Sequence, residues 1–426
     1  MLATLRHRDF ALLWVAGLIS VAGDFALLVA LPLHAYALTG SAIATGGVFA
    51  ATLIPSVLLG SIAGVFVDRW DRKRTMVVAD LARAALLLPL LAVVSPDLLW
   101  LLYGVRAATG IVGLFFDPAE SALLPKLVGE EQLVTANALN ALNNNLGRLI
   151  GPALGGLLYA GGGLPTVVIV DTFSFAVSAA LIAAIRARAQ PERAVALAGE
   201  AAAWRRAIGE WLDGLRLVGR DRALRTIFFA TGVGMLGEGT FSVGYTPLVI
   251  DVLKGGATGA GILSSAQAIG GLMAGAVVAR VALKTSPRLL FAGGMIGLGF
   301  TDLGVANAGT FVPPGAAAII AASGFMLLAG FPVVASFSAR QGLLQLLTTD
   351  TFRGRVFGAL GAVQGLSILA GLGIGGVAIE AVGVVPVVSI GAAMWIVGGV
   401  FALTRLPHEV GPDPANGEIK SPLGTL

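Results

Sequence analysis

Long apolar runs separated by short charged intervals set the pattern of this chain. They span about Phe10–Leu38, Ile43–Val67, Thr75–Val94, Leu98–Phe116, Val134–Tyr159 and Leu164–Ile185. After one longer polar interval come Leu224–Ile250, Thr258–Val281, Leu289–Ala306, Pro313–Phe337, Val356–Ala381 and Val384–Thr404. A bilayer is crossed by roughly 20 apolar residues, so the pattern predicts twelve transmembrane helices. Amphipathic periodicity is weak within most runs, as expected for helices apolar on nearly every side. The first run follows Arg6-His7-Arg8-Asp9 and is too long for the apolar core of a signal peptide. It predicts a first membrane span rather than a cleaved leader.

The basic residues set the expected topology. With the N-terminus inside, Arg69, Arg72, Lys73, Arg74, Lys126, the Arg186–Arg225 cluster, Lys284, Arg288, Arg340, Arg353, Arg355 and Arg405 all fall on the inner side. Only the outer loop holding Lys254 breaks this asymmetry, which favours both termini in the cytoplasm. In the polar interval, Trp204, Ile208, Trp211, Leu215 and Val218 recur at helical spacing among charged residues. They predict an amphipathic helix on the inner membrane surface. The expected division is a first bundle over 1–188, a linker over 189–222, a second bundle over 223–406 and a disordered tail over 407–426.

Composition sharpens this picture. Of 426 residues, 56% are hydrophobic and 12% charged, and the mean hydropathy is +0.88. Soluble domains average about 25% charged residues, so an integral membrane protein is expected. The net charge of +4 does not imply nucleic-acid binding, because the cations sit between apolar runs. The absence of cysteine excludes disulfides, thiol nucleophiles and thiolate–metal sites. His7, His34 and His408 lack metal-ligand spacing, and no phosphate-binding loop appears. Neither catalytic residues, a metal nor a cofactor is expected, and the chain reads as a non-enzyme.

Gly64-Val65-Phe66-Val67-Asp68-Arg69-Trp70-Asp71-Arg72-Lys73-Arg74 links the second and third runs. The pattern G-x-x-x-D-R-x-x-R-K-R resembles the signature loop between helices 2 and 3 of the major facilitator superfamily of transporters. Asp71, where that family usually has Gly, is similar to the macrolide-efflux and siderophore-exporter branch. The resemblance implies two pseudo-symmetric six-helix bundles, all α, with substrate between the halves. It also implies a cytoplasmic gate made by Gly64, Asp68, Arg69, Arg72 and Lys73 with Arg353 and Arg355, in which Asp68 meets the start of helix 11. The plainer alternative is that these charges only set topology.

Internal repetition fits two bundles. Pro32, Gly40, Gly46 and Gly60 match Pro247, Gly255, Gly261 and Gly275 at an offset of 215 (255 against 40). Gly151, Gly155, Gly156 and Gly163 match Gly371, Gly375, Gly376 and Gly383 at an offset of 220 (371 against 151). The second copy of the signature loop is degraded, with Leu283 where Asp68 would stand.

The candidate chemistry lies in charged groups within apolar runs. A charge at mid-bilayer costs roughly 2.5–3.5 kcal/mol on insertion scales, so Asp24 and Glu238 each need a partner, a watery cavity or a proton. Both are candidate proton carriers; the alternative is a structural ion pair. Arg106, with Gly110 four residues on, resembles the superfamily's helix-4 motif associated with proton transfer. Asp24–Arg106 is the expected coupling pair. In the fifth run Asn137, Asn140, Asn144, Arg148, Gly151 and Gly155 share one helical face. Gly147, Gly151, Pro152, Gly155 and Gly156 resemble the G-x-x-x-G-P-x-x-G-G motif that marks antiporters in the superfamily, although glycine faces also simply pack helices. Asn140, Asn144, Arg148, Gln267 and Gln364 are candidate cavity residues. Asp117, Glu120 and Lys126 read as solvated loop charges, and Asp171 and Asp302 as groups reaching water near outer helix ends.

The expected function is export of amphiphilic, drug-like small molecules by proton antiport, from a monomer in the bacterial inner membrane. Its partners are the solute, protons and the lipid bilayer. The alternatives are an exporter or flippase of another cargo, such as a siderophore or lysophospholipid, and a non-transporting receptor or scaffold.

Overall fold

The computed structural model describes residues 4–67, 70–187, 209 and 216–407. They form twelve long helices: α1 (Arg8–Thr39), α2 (Ala42–Val67), α3 (Arg72–Leu87), α4 (Leu99–Val128), α5 and α6, α7 (Arg222–Pro247), α8 (Gly256–Ala282), α9 (Pro287–Phe311), α10 (Ala316–Leu347), α11 (Asp350–Val382) and α12 (Val384–Arg405). The α5–α6 boundary lies inside the helical stretch Leu133–Ala183, at Gly163, whose φ of 67° and ψ of −164° break the helix. That backbone region suits glycine, and it divides the stretch into α5 (133–162) and α6 (164–183).

Ten helical stretches among the described residues are long and apolar enough to cross a membrane, the 51-residue α5–α6 stretch counting as one. α7 is not among them, because Glu238 and its many glycines and threonines dilute its apolarity. Large apolar side chains such as Phe173, Phe300, Ile320 and Ile374 are exposed by 60–72%. Water would not tolerate so many, whereas a bilayer covers them. The chain is a multi-pass membrane protein.

Contacts divide it into two units. One holds residues Met1–Gly199 and Gly256–Ser265, the other Glu200–Gly255 and Ala266–Leu426. In the first, α1 lies along α5 because α5 presents glycine to it. A Cβ at Gly155 would stand 2.7 Å from Ala26 Cα, closer than real Cβ atoms come. Small residues allow this backbone approach where apolar lipid offers no competing hydrophobic drive. Phe10, Leu13, Met76, Leu123 and Ile182 fill one end of this unit, and Leu27, Leu31, Leu102 and Phe175 the other.

The second unit repeats the device. Gly371 and Gly375 of α11 lie against α7, where a Cβ at either would stand 3.0 Å from Gly239 Cα or Thr240 Cα respectively. Its core gathers Leu224, Ile227, Phe291, Met295, Leu343 and Trp395. Gly151 and Gly155 therefore do the same packing job in the first unit as Gly371 and Gly375 in the second.

Helix ends are capped from far along the chain. Lys73 Nζ donates to Ile185 O at 2.6 Å and an Arg8 guanidinium nitrogen to Ala184 O at 3.2 Å, satisfying carbonyls at the end of α6. Cations are favourable there. The Asp9 carboxylate accepts from Arg186 N and Ala187 N. Arg288 donates to Leu403 O in the last turn of α12.

The helices differ from the sequence reading in two places, and two further expectations fall outside the described residues. α4 continues to Val128, so Asp117, Glu120 and Lys126 are helical rather than loop residues. Backbone hydrogen bonding carries a helix past the end of its apolar run when its polar side chains find partners or solvent. Asp171 and Asp302 are buried, at 0% and 3% exposure, instead of reaching water. The linker helix falls mostly outside the described residues; residues 216–220 are helical, with Val218 buried. Asp68 and Arg69 of the signature loop also lie outside them, as does the tail beyond Pro407.

Candidate functional site

Three helices of the first unit bring a charged network together. α3 carries Asp80 and Arg83 three residues apart and hence on one face. α6 carries Asp171, Ser174, Phe175 and Ser178 on another face, and α1 supplies Asp24. Arg83 is the hub. Its two terminal nitrogens lie 3.3 Å from Asp80 Oδ1 and 3.6 Å from Asp24 Oδ2. Its guanidinium sits 4.7 Å from the Phe116 ring centroid and 4.8 Å from that of Phe175. Two ring faces favour a desolvated cation and hold it in place. Ser178 donates to Asp80 Oδ2 at 2.6 Å.

The two carboxylates on Arg83 differ in environment. Asp80 is fully buried, whereas the Asp24 side chain is 37% exposed and that of Arg83 9%. Asp24 is the exposed end of the network.

A third carboxyl stands beside it. The side chain of Asp171 occupies the notch left by Gly23, where a Cβ would meet Ser174 Oγ at 2.7 Å. Asp171 Oδ1 accepts from Ser174 Oγ at 2.9 Å, while its Oδ2 is buried without a hydrogen-bond partner. Asp24, Arg106 and Arg83 all lie within electrostatic reach of it.

The expected Asp24–Arg106 pair does not form: Asp24 pairs with Arg83. Arg106 Nε donates instead to Thr52 Oγ1 of α2 at 2.9 Å. Asp80 and Arg83 were absent from the sequence reading. The available signal was a pair of opposite charges three residues apart inside the apolar run of α3.

The remaining candidates are distributed as follows. On α5, Asn144 and Arg148 are exposed, and Asn140 Nδ2 donates to Glu120 Oε1 at 3.1 Å. Gly147, Gly151 and Gly155 pack on α1, and Pro152 and Gly156 are buried. The neighbouring Asn143, off that face, donates to Trp14 O at 2.6 Å. His34 bridges Tyr159 Oη and Val93 O, at 3.2 and 2.8 Å, and is a satisfied group. In the second unit Glu238 is half-buried and lies within reach of Asp302 of α9. Gln267 is half-buried, and Gln364 of α11 meets Arg340 of α10.

Of the gate residues, Gly64 lies in α2, and Lys73 caps α6 rather than standing free. Arg72 keeps two buried nitrogens without hydrogen-bond partners. Arg353 is half-buried, and Arg355 lies 5.3 Å from the Phe352 ring. No cluster of three or more metal-ligating side chains occurs among the described residues.

Comparison with known proteins places this geometry. The family description Major Facilitator Superfamily matches residues 13–325. The multidrug efflux pump Tap of Mycolicibacterium fortuitum is 27% identical, over 84% of this chain and 86% of its own length. Macrolide efflux protein A of Streptococcus pyogenes is 28% identical over 42% of this chain and 44% of its own. The crystal structure of a bacterial homologue of the iron transporter ferroportin, in an inward-facing state, superposes with a TM-score of 0.73. It covers 93% of this chain and 98% of that one at 14% identity, a likeness of fold alone.

Proposed function

Because this chain belongs to the major facilitator superfamily of membrane transporters, we propose that it exports amphiphilic small molecules in exchange for protons across the bacterial inner membrane. Relatives named as multidrug and macrolide efflux proteins support the direction. The single observation carrying the coupling is that Asp24 is the one exposed carboxylate on an otherwise buried, ring-clamped guanidinium.

The chemistry follows from that asymmetry. With Asp24 and Asp80 ionised, the triad with Arg83 carries a net charge of −1. A proton arriving at Asp24 makes it neutral and removes the attraction tying α1 to α3. Arg83 stays in place between its rings and against Asp80, so the change is confined to α1. Such a protonation-dependent contact between helices biases a transporter between its two access states. Asp171, one turn of contact away through Gly23, is a second place for the proton. Arg106, held by Thr52, supplies a fixed positive charge nearby.

The energetics suffice. One proton moving through 100 mV yields about 2.3 kcal/mol, and a tenfold gradient of a neutral solute costs about 1.4 kcal/mol. One proton per cycle thus supports more than a tenfold gradient.

The test uses energised inside-out vesicles loaded with the full-length protein. Adding a transported drug collapses part of the pH gradient. Asp24→Asn abolishes that response, and Asp24→Glu retains part of it. An unchanged response in Asp24→Asn sinks the coupling assignment. A counter-transport panel of drug, siderophore and lysophospholipid decides the cargo.

A further inference from the structure

Arg340 of α10 is 94% buried, since only 6% of its surface is exposed. No carboxylate lies within ion-pair distance of it among the described residues, where the ion pairs involve only Arg8 and Arg83. Its Nε has no hydrogen-bond partner. Its guanidinium lies 5.3 Å from the Phe337 ring centroid. With the Gln364 amide oriented so that its oxygen faces the guanidinium, that oxygen accepts from both terminal nitrogens, at 3.0 and 3.3 Å. The orientation follows from the requirement that donors meet acceptors.

Arginine does not shed its proton in proteins, and a buried charge without an opposite one costs several kcal/mol. A neutral amide and one ring face offset part of that cost. The Nε edge of the planar fork is buried and makes no hydrogen bond among the described residues, and a guanidinium edge fits an oxyanion with two parallel hydrogen bonds. If the role of Arg340 were only to join α10 to α11, a neutral amide or a hydroxyl would do so at lower cost.

The repeat adds an independent observation. At the 220 offset that matches Gly151 with Gly371, Arg340 corresponds to Glu120 of α4, and Gln364 to Asn144 of α5. Glu120 is likewise held by an α5 amide, that of Asn140. Both units therefore place a charged group beside an amide of the next helix, although Asn140 lies one turn before the Asn144 that matches Gln364, and the sign of the charge is reversed. A scaffold contact inherited with the repeat has no reason to reverse its sign, whereas a recognition group does.

We infer that Arg340 and Gln364 form a subsite for an oxyanionic group of the transported solute, a carboxylate, sulfate or phosphate on an amphiphilic body. The proposal rests on the exporter reading and narrows its substrate class to solutes carrying an anion.

Equilibrium binding to the purified full-length protein in phosphatidylcholine liposomes, with no ion gradient, tests it. The probes are estrone sulfate, a permanent anion, and tetraphenylphosphonium, a permanent cation of comparable bulk. The unmutated protein is expected to bind the anion more tightly. Arg340→Gln raises the Kd for estrone sulfate at least tenfold and changes that for tetraphenylphosphonium less than twofold. Retained cation binding also shows that the variant is folded. Arg340→Lys, which keeps the charge but loses the fork, lies between. Equal weakening of both probes, no weakening of either, or a preference of the unmutated protein for the cation overturns the proposal. Competition by added phosphatidylglycerol assigns the subsite to a lipid headgroup and also overturns it. The absence of a gradient keeps this separate from coupling: a protein that fails the vesicle assay can still pass here, and the reverse.

Discussion

Removing the hub of the charged network separates what holds the first unit together from what moves. Arg83→Gln leaves Asp80, which has no exposure, without its cation. Breaking a buried ion pair from one side costs about 3–5 kcal/mol, because the remaining charge is stranded. The two ring contacts with Phe116 and Phe175 are lost as well, each about 0.5–2 kcal/mol. At roughly 2–4 °C per kcal/mol for domains of 150–250 residues, the ion-pair loss alone lowers the apparent Tm in detergent by roughly 6–20 °C, and the lost ring contacts add to it. Adding Asp80→Asn removes the stranded charge and keeps a partner for Ser178. The double variant therefore recovers a large part of the loss, on the order of 2 kcal/mol of coupling in the cycle. Asp24→Asn alone costs under about 1 kcal/mol, since the Asp24 side chain is 37% exposed and its pair is partly screened. Scanning the unmutated protein, Arg83→Gln, Asp80→Asn, their double variant and Asp24→Asn at one rate by intrinsic fluorescence, in the same detergent, checks this. The reasoning is refuted if Arg83→Gln unfolds no more readily than Asp24→Asn, or if Asp80→Asn deepens the defect of Arg83→Gln.

Other outcomes follow from local geometry. Gly155→Leu forces α1 away from α5, so overpacking lowers stability by more than about 3 kcal/mol, read as loss of the monodisperse peak in gel filtration. Leu154→Ala beside it, on an exposed position, stays within about 0.5 kcal/mol of the unmutated protein. Asn140→Leu strands the Glu120 carboxyl and lowers stability by about 1–3 kcal/mol in the same scan. Asp9→Ala removes the acceptor for Arg186 N and Ala187 N and costs about 0.5–2 kcal/mol, measured as faster proteolysis at the end of α6.

The fold was legible because a bilayer imposes one simple demand, a continuous apolar helix of fixed length, and the chain writes it out with charged punctuation. Gly151 and Gly155 were legible as a close-packing face for the same reason: nothing else explains glycine at helical spacing in a span. Asp24 stood out because it is alone among apolar neighbours. Its partner did not, because pairing depends on how neighbouring helices are rotated about their axes. Sequence spacing fixes that within one helix but not between two, so the sequence points to Arg106 and leaves Arg83 unnoticed. Asp80 and Arg83 were masked by each other, since opposite charges one turn apart leave the hydropathy of a run almost unchanged. Glu120 reads as a loop residue in the sequence because the apolar run stops at Phe116, whereas the helix continues with Asn140 as its partner.

Where the two halves of the repeat agree and where they part assigns work to each. Helix packing agrees: Gly371 and Gly375 lie against α7 as Gly151 and Gly155 lie against α1. The chemistry does not. At the 220 offset, Asp171, Phe175 and Ser178 of α6 correspond to Gly391, Trp395 and Gly398 of α12. Gly391 and Gly398 are instead filled by close helix approach, the first against Thr240 and the second against Met295 and Ala230. The second unit therefore has no acid where Asp171 stands and no serine where Ser178 holds Asp80. Its own mid-span acids, Glu238 and Asp302, face each other without the cation that organises the first unit. A carboxylate that must lose and regain a proton works best beside a fixed cation, which gives the ionised form a defined place to return to. On that criterion we propose Asp24 as the coupling group and Glu238 as a secondary one. Glu238→Gln is then expected to lower the rate of substrate-driven pH-gradient collapse without abolishing it, while Asp24→Asn abolishes it. The reverse ranking would move the coupling site to the second unit and leave the ring-clamped guanidinium without a transport role.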